Sequence, residues 1–171
     1  MSTKFTYALI LTICQVVFSL IMYFLGFETE KLATGQYVQW LGFVFIISVL
    51  WLGIKAVRDE APGQALGYGG CVGAGVLISL YAGLMSGVYR FIHLRFINTS
   101  FADYAIDFQK VKMAAKGISD AQIERAEGIM RATMGPAVQA IFTPILGVIF
   151  GLVFSLIIAA FLKRNPPEEA A

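Results

Sequence analysis

The chain has 171 residues, of which 58% are hydrophobic and only 14% are charged, and its mean hydropathy is +0.74. Soluble domains carry about 25% charged residues, so this composition excludes an ordinary soluble domain and indicates a membrane protein. The net charge of +2, without any basic run, also excludes nucleic acid as a partner.

Four long apolar stretches can each cross a bilayer, which takes roughly 20 apolar residues per helix. We place the spans at about residues 5–26, 37–57, 64–92 and 137–162 of a single membrane domain that comprises residues 1–171. The sequence therefore predicts an all-α, polytopic membrane protein with four transmembrane helices.

The first span is read as a retained helix rather than a signal peptide. Its apolar run exceeds the ~7–15 residues of a signal core, and no A-x-A-like cleavage site follows before Glu28. Gln15 in this span and Gln39 in the second are expected to face other helices, where they form hydrogen bonds between helices or line a polar path for a solute. Cys14 and Cys71 lie within spans and are read as packing residues.

Basic residues near the ends of the spans predict the topology. The short connections place five Lys or Arg residues on the side of the termini and one, Lys31, on the other side. Under the positive-inside rule, both termini are then cytoplasmic, although the basic residues of the long third loop oppose this assignment. The five are Lys4, Lys55, Arg58, Lys163 and Arg164.

The end of the second span carries the first candidate polar site. Lys55 and Asp59 lie one helical turn apart, with Arg58 alongside, and Gln64 follows a turn that Pro62 begins. One interpretation is a helix end anchored by lipid head groups, with cations favoured at the carboxyl end of the helix dipole. The other is a small binding site formed by these four polar side chains.

Small residues recur at every fourth position of the third span and again in the fourth. Positions i and i+4 share one face of a helix, so each row forms a smooth groove that lets another backbone approach closely. We predict that these two spans pack in small-xxx-small fashion; the alternative is that some of the glycines simply face lipid. The predicted packing residues are Gly67, Gly75, Ser79, Gly83, Gly87, Gly147, Gly151 and Ser155, and the first row begins at Gly63.

Arg90 and His93, at the end of the third span, form the second candidate polar site. Charged groups at membrane depth are energetically costly and often functional. Arg90 lies near enough to the boundary to snorkel, and we expect Asp103 or Asp107 of the following loop to pair with it. A ligand or proton role is the alternative. His93 is the only histidine, so no histidine-based metal site is expected.

The polar segment between the third and fourth spans, residues 98–134, carries two amphipathic patterns. Ser100 with Asp103 forms one helix-start signature, and Ser119 with Gln122 forms a second. The segment therefore predicts an extracytoplasmic helical hairpin. Its apolar faces are expected to lie on the membrane surface, on the mouth of the bundle or against a partner.

Residues 53–59 read GIKAVRD and residues 63–69 read GQALGYG. This run resembles the G-I-K-x-x-R-D … G-Q-A-L pattern of an uncharacterised bacterial membrane family, domain of unknown function 4199. The residue-level resemblance covers roughly residues 40–95, and the remainder agrees in layout. It implies four spans, a helical insert between the third and fourth, and a bacterial inner membrane. It implies no activity.

Motifs typical of catalysis are absent from the sequence. It contains no G-x-S-x-G, Walker, H-E-x-x-H or C-x-x-C pattern, and no carboxylate lies in the middle of a span. We therefore expect a non-enzymatic membrane protein without catalytic residues, cofactor or metal, acting as an accessory or scaffold subunit of a membrane assembly. Its expected partners are the lipid bilayer and either a second copy or another membrane protein.

The alternative is a small transporter or channel-like permease for a neutral or weakly polar solute. Its cavity would be lined by Gln15, Gln39, Tyr81 and Arg90.

Overall fold

The computed structural model describes residues 1–164, which form seven α-helices and no strand. The predicted all-α class is confirmed. Residues 165–171, and with them the C-terminal end of the predicted domain and topology, lie outside the described part. The helices are α1 (Thr3–Phe24), α2 (Leu32–Val38), α3 (Leu41–Asp59), α4 (Tyr68–Ile92), α5 (Phe101–Ala115), α6 (Asp120–Thr133) and α7 (Pro136–Leu162).

Four helical segments are long and apolar enough to span a membrane, which confirms the predicted polytopic architecture. They are α1, the continuous pair α2 and α3, α4 extended by a π-helical turn at His93–Ile97, and α7. The second begins at Leu32, earlier than the predicted residue 37. Gly35 allows this early start, because α2 packs directly against the backbone of Phe27 and any side chain at position 35 would overlap the Phe27 carbonyl group.

The third membrane helix begins later than predicted. Pro62 starts a short 3-10 turn, and both Gly63 (φ +64°) and Gln64 (φ +52°) adopt the left-handed conformation, which breaks a right-handed helix. Gly67 then precedes the first residue of α4, and a Cβ atom there would meet nothing within 4 Å. The prediction that Gly67 packs against another helix is therefore wrong.

The bundle is built around α4, which contacts α1, α3 and, most extensively, α7. Lipid tails are as apolar as the core side chains, so this core stabilises the bundle through close dispersion contacts rather than through removal of surface from water. The largest fully buried apolar side chains at these contacts are Leu50, Ile54 and Ile78.

Helices α5 and α6 lie side by side and are held by ion pairs. Lys110 Nζ donates to Glu127 Oε2 at 2.7 Å, and Arg131 bridges Glu127 and Asp103 at 3.0 and 3.1 Å. Hydrogen bonds from Lys110 and Arg131 hold the pKa of Glu127 below its ordinary value. The predicted capping box of Ser119 at the start of α6 is confirmed.

Candidate functional site

Two serines and two glycines interlock where α4 meets α7. The Ser155 side chain occupies the space that a Cβ atom on Gly75 would need, and Ser79 does the same at Gly151. Residue 75 thus lies opposite 155, and 79 opposite 151, so the two helices run antiparallel. Both hydroxyl groups are buried and have no hydrogen-bond partner within residues 1–164, so they act here through shape.

Further along the same contact, the two backbones approach one another directly. A Cβ atom on Gly147 would lie 3.6 Å from the Cα atom of Gly83, and one on Gly83 would lie 3.0 Å from the Cα atom of Pro144. A Cβ atom on Gly87 would come within 2.7 Å of the carbonyl oxygen of Ala140. Pro144 cannot donate to that oxygen, so the Cα–H group of Gly87 approaches an acceptor that lacks its usual helical partner.

Glu28 is folded back into the bundle by the connection between α1 and α2. Gly26 adopts φ +78°, which allows the chain to reverse after α1, and the Phe27 amide donates to the Met22 carbonyl at 2.8 Å. The reversal leaves Glu28 only 6% exposed. We call this region of the bundle the Glu28 end and the opposite one, near Arg58, the Arg58 end.

A hydrogen-bonded network surrounds the Glu28 carboxylate. His93 Nε2 lies 2.8 Å from Oε2, Asn98 Nδ2 donates to the same oxygen at 3.3 Å, and Ser19 Oγ donates to Oε1 at 3.2 Å. An ionised carboxylate only accepts, so Nε2 of His93 carries the hydrogen and Nδ1 can accept from the Tyr89 hydroxyl group at 3.0 Å.

Burial and the neighbouring side chains shift the pKa of the Glu28 carboxyl group in opposite directions. Desolvation alone would raise its pKa, but the hydrogen bond from His93 and the charge of Arg90 outweigh it. The pKa of Glu28 is therefore below its ordinary value, and the group is ionised at neutral pH.

Arg90 faces Glu28 without a hydrogen bond to it. The closest approach between the two side chains is 3.7 Å, which is too long for one. The guanidinium group lies 4.6 Å from the centre of the Phe101 ring, a cation–π distance. Asp103 instead pairs with Arg131, so the prediction that Asp103 neutralises Arg90 is wrong, and Asp107 is exposed.

A cleft between α1, α3, α4 and α7 begins at this network and continues into the bundle. It consists of two adjoining cavities of about 330 Å³ and 280 Å³. The first contains Gln39, Glu28 and Arg90 and is polar at the Glu28 end, whereas the second is mainly apolar. The residues that line both are Gln15, Ile46, Ser86 and Thr143.

Gln15 and Tyr81 differ in their relation to the cleft. Ser86 Oγ donates to Gln15 Oε1 at 2.7 Å, which joins α1 to α4 beside the cavity. Tyr81 lines neither cavity and packs edge-on against Phe5 at a centroid distance of 6.0 Å. The expectation that Tyr81 lines a solute cavity is therefore wrong.

Of the other predicted polar site, only Arg58 and Asp59 are joined by side-chain contacts within the described residues. Arg58 is buried and donates to Asp59 at 2.6 Å and to the Leu162 carbonyl at the end of α7 at 3.2 Å. Lys55 and Gln64 are exposed and form no side-chain hydrogen bond within the described residues. Arg58 thus joins two membrane helices.

Arg58→Ala is expected to lower the free energy of unfolding by about 1–3 kcal/mol, because it leaves a buried carbonyl group without its donor. Lys55→Ala, three residues away and exposed, should change it by less than about 0.5 kcal/mol. Chemical unfolding of both variants in detergent measures the difference. Equal stability of the two variants would contradict this role for Arg58.

Several members of the network, among them Glu28 and Asn98, were not identified as site residues from the sequence. Glu28 lies in a short loop and Asn98 follows the third span, and no motif around either residue indicates a buried polar network. The one available signal was Gly26, since a glycine just after a helix often marks a chain reversal.

The helices and the buried polar network define a four-span helical membrane protein with a charged cleft inside the bundle. The chain belongs to the family described as Protein of unknown function (DUF4199), which matches residues 6–164. The resemblance found in the sequence is thereby confirmed. No curated protein and no solved structure matches the chain.

Proposed function

We propose that the protein is a non-enzymatic accessory or scaffold subunit of a membrane assembly in a bacterial inner membrane. In this proposal both termini are cytoplasmic, the small-xxx-small contact of α4 with α7 makes the bundle rigid, and the insert of α5 and α6 is extracytoplasmic. The insert presents the contact surface to a second copy or to another membrane protein.

The observation that carries this proposal is the apolar surface of the insert. Val111 on α5 and Ile129 on α6 are 69% and 67% exposed, although both lie outside the four membrane-spanning segments. The ion pairs of the insert join α5 to α6, so they orient these helices relative to each other. In this proposal the two exposed apolar side chains belong to the contact surface of the insert.

Purification from native membranes in a mild detergent tests the proposal. We expect a defined oligomer or a stoichiometric membrane-protein partner, and we expect Val111→Lys combined with Ile129→Lys to lose it. Glu124→Lys is the control, because it introduces the same lysine at an exposed, already charged position of α6. A solitary monomer that moves a solute across vesicles would contradict the scaffold role.

The second candidate function, a small permease, is favoured by the cleft. Three of the four residues named by the permease hypothesis, Gln15, Gln39 and Arg90, line it, whereas Tyr81 does not. In a variant without Cys14 and Cys71, Gln15→Cys should then react with a membrane-impermeant maleimide.

Val17→Cys, on an exposed face of α1 away from the cleft, is the control for that labelling. Val17→Cys should stay unlabelled, because lipid covers that face of α1. If Gln15→Cys is protected as well, the cleft is dry and the permease is excluded.

A further inference from the structure

We propose that the cleft binds an amphiphile with an anionic head group, a carboxylate or a phosphate, and that Arg90 is the counter-charge for that group. This site is independent of the scaffold role, because either a scaffold or a permease can hold such a ligand.

Arg90 has the donors that an anion needs, and within residues 1–164 none of them forms a hydrogen bond. The side chain is 21% exposed and lines the cleft, and it forms no hydrogen bond with any other residue of the described chain. Guanidinium carries five N–H donors in a planar fork that matches the two oxygens of a carboxylate or phosphate. An arginine held at membrane depth with its fork free is therefore suited to bind an anion.

The Glu28 carboxylate does not bind the guanidinium fork of Arg90. Both oxygens of Glu28 accept hydrogen bonds from other groups, among them His93 and Ser19, and its nearest approach to Arg90 is 3.7 Å. Glu28 therefore balances part of the charge while leaving the Arg90 fork open. The other titratable side chain that lines the cleft is Tyr89, whose hydroxyl group bonds His93.

The shape of the cleft indicates an amphiphile rather than a small ion. Beyond Arg90 the lining includes the polar groups of Gln15, Ser86 and Thr143, and then becomes apolar. Each cavity is close to the roughly 300 Å³ at which ligand pockets begin, and the two adjoin. A head group at Arg90 would thus place an acyl chain along the apolar part. That part is lined by Leu11, Phe43, Ile46, Leu146 and Phe150.

Binding of three probes to the delipidated protein in a neutral detergent tests this site by calorimetric titration. Dodecanoate should bind saturably, and Arg90→Gln should weaken it at least about tenfold, since a charge-assisted bidentate pair is lost. Dodecanol, which has the same chain without the charge, should bind more weakly and be indifferent to this substitution. Acetate, which has the carboxylate without the long chain, tests whether the head group alone is sufficient for binding.

Arg95→Gln is the matched control, because Arg95 lies at the same end of the same span but is exposed. It should leave dodecanoate binding within about twofold of the wild type, as expected of a surface charge. Competition by millimolar acetate or inorganic phosphate would assign the site to anions from water. Displacement of dodecanoate by dodecyl phosphate, but not by acetate or inorganic phosphate, would assign it to lipid-like ligands.

Two results would overturn the proposal: wild-type protein that shows no saturable dodecanoate binding, or Arg90→Gln that binds it as well as the wild type. If Arg90→Gln does not fold, Thr143→Phe provides a second test, because Thr143 lines the junction of the two cavities. It should abolish dodecanoate binding, whereas Thr133→Phe, exposed on α6, should not. Unchanged binding to a folded Thr143→Phe variant would place the ligand elsewhere.

Discussion

Gly151→Ala is expected to lower the free energy of unfolding by about 1–3 kcal/mol, although it adds a single methyl group. The new Cβ atom would overlap the Ser79 side chain, and no other residue crowds that position. Ser79→Gly should therefore restore most of the lost stability when combined with Gly151→Ala. Unfolding of the single and double variants in detergent measures this coupling.

Gly73→Ala is the control for that pair, because Gly73 also lies within α4 but a Cβ atom there meets nothing within 4 Å. Alanine favours a helix more than glycine does, so this variant should be as stable as the wild type or slightly more stable. Equal stabilities for Gly73→Ala and Gly151→Ala would show that α4 and α7 do not interlock at their small residues.

Glu28→Gln is expected to lower the free energy of unfolding by about 3 kcal/mol, the lower limit for breaking a buried ion pair. The substitution removes the negative charge beside Arg90 and replaces one of the two acceptor oxygens, which receive bonds from His93, Asn98 and Ser19, with an amide donor. Adding Arg90→Gln should recover part of the loss, since it removes the uncompensated cation. The three variants, compared by chemical unfolding, form a double-mutant cycle.

Glu30→Gln is the control, because it makes the same chemical change two residues further on at an exposed position. It should change the stability by less than about 0.5 kcal/mol. If Glu28→Gln were as stable as Glu30→Gln, the network at the Glu28 end would contribute nothing to folding.

The four spans were predictable because apolar length alone identifies a membrane helix, whatever the helix packs against. The rows of small residues also depend only on local periodicity. The start of α4 was not predictable from that periodicity. The row of small residues continues through Gly63 and Gly67, but the turn at Pro62 and the left-handed residues after it keep this part of the chain out of the helix. A fourfold spacing indicates a shared face only where the chain is helical.

The polar network at the Glu28 end depends on contacts that no local pattern encodes. Glu28 is 65 residues from His93 in the chain, and the two meet only because the chain reverses at Gly26. Because of the same reversal, the absence of carboxylates from the middle of the spans does not mean that the bundle lacks a buried carboxylate. Glu28 lies in a loop, yet it is buried and hydrogen-bonded to the third span.

The Arg58 end of the bundle is fastened by backbone as well as side-chain contacts. The Arg164 amide donates to the Leu66 carbonyl at 3.0 Å, and the Thr3 hydroxyl group donates to the Glu60 carboxylate at 2.5 Å. Together with the bond from Arg58 to α7, these ties join the ends of the helices at the side of the bundle remote from the Glu28 network. A solute could leave the bundle at the Arg58 end only in a second conformation in which these ties are released.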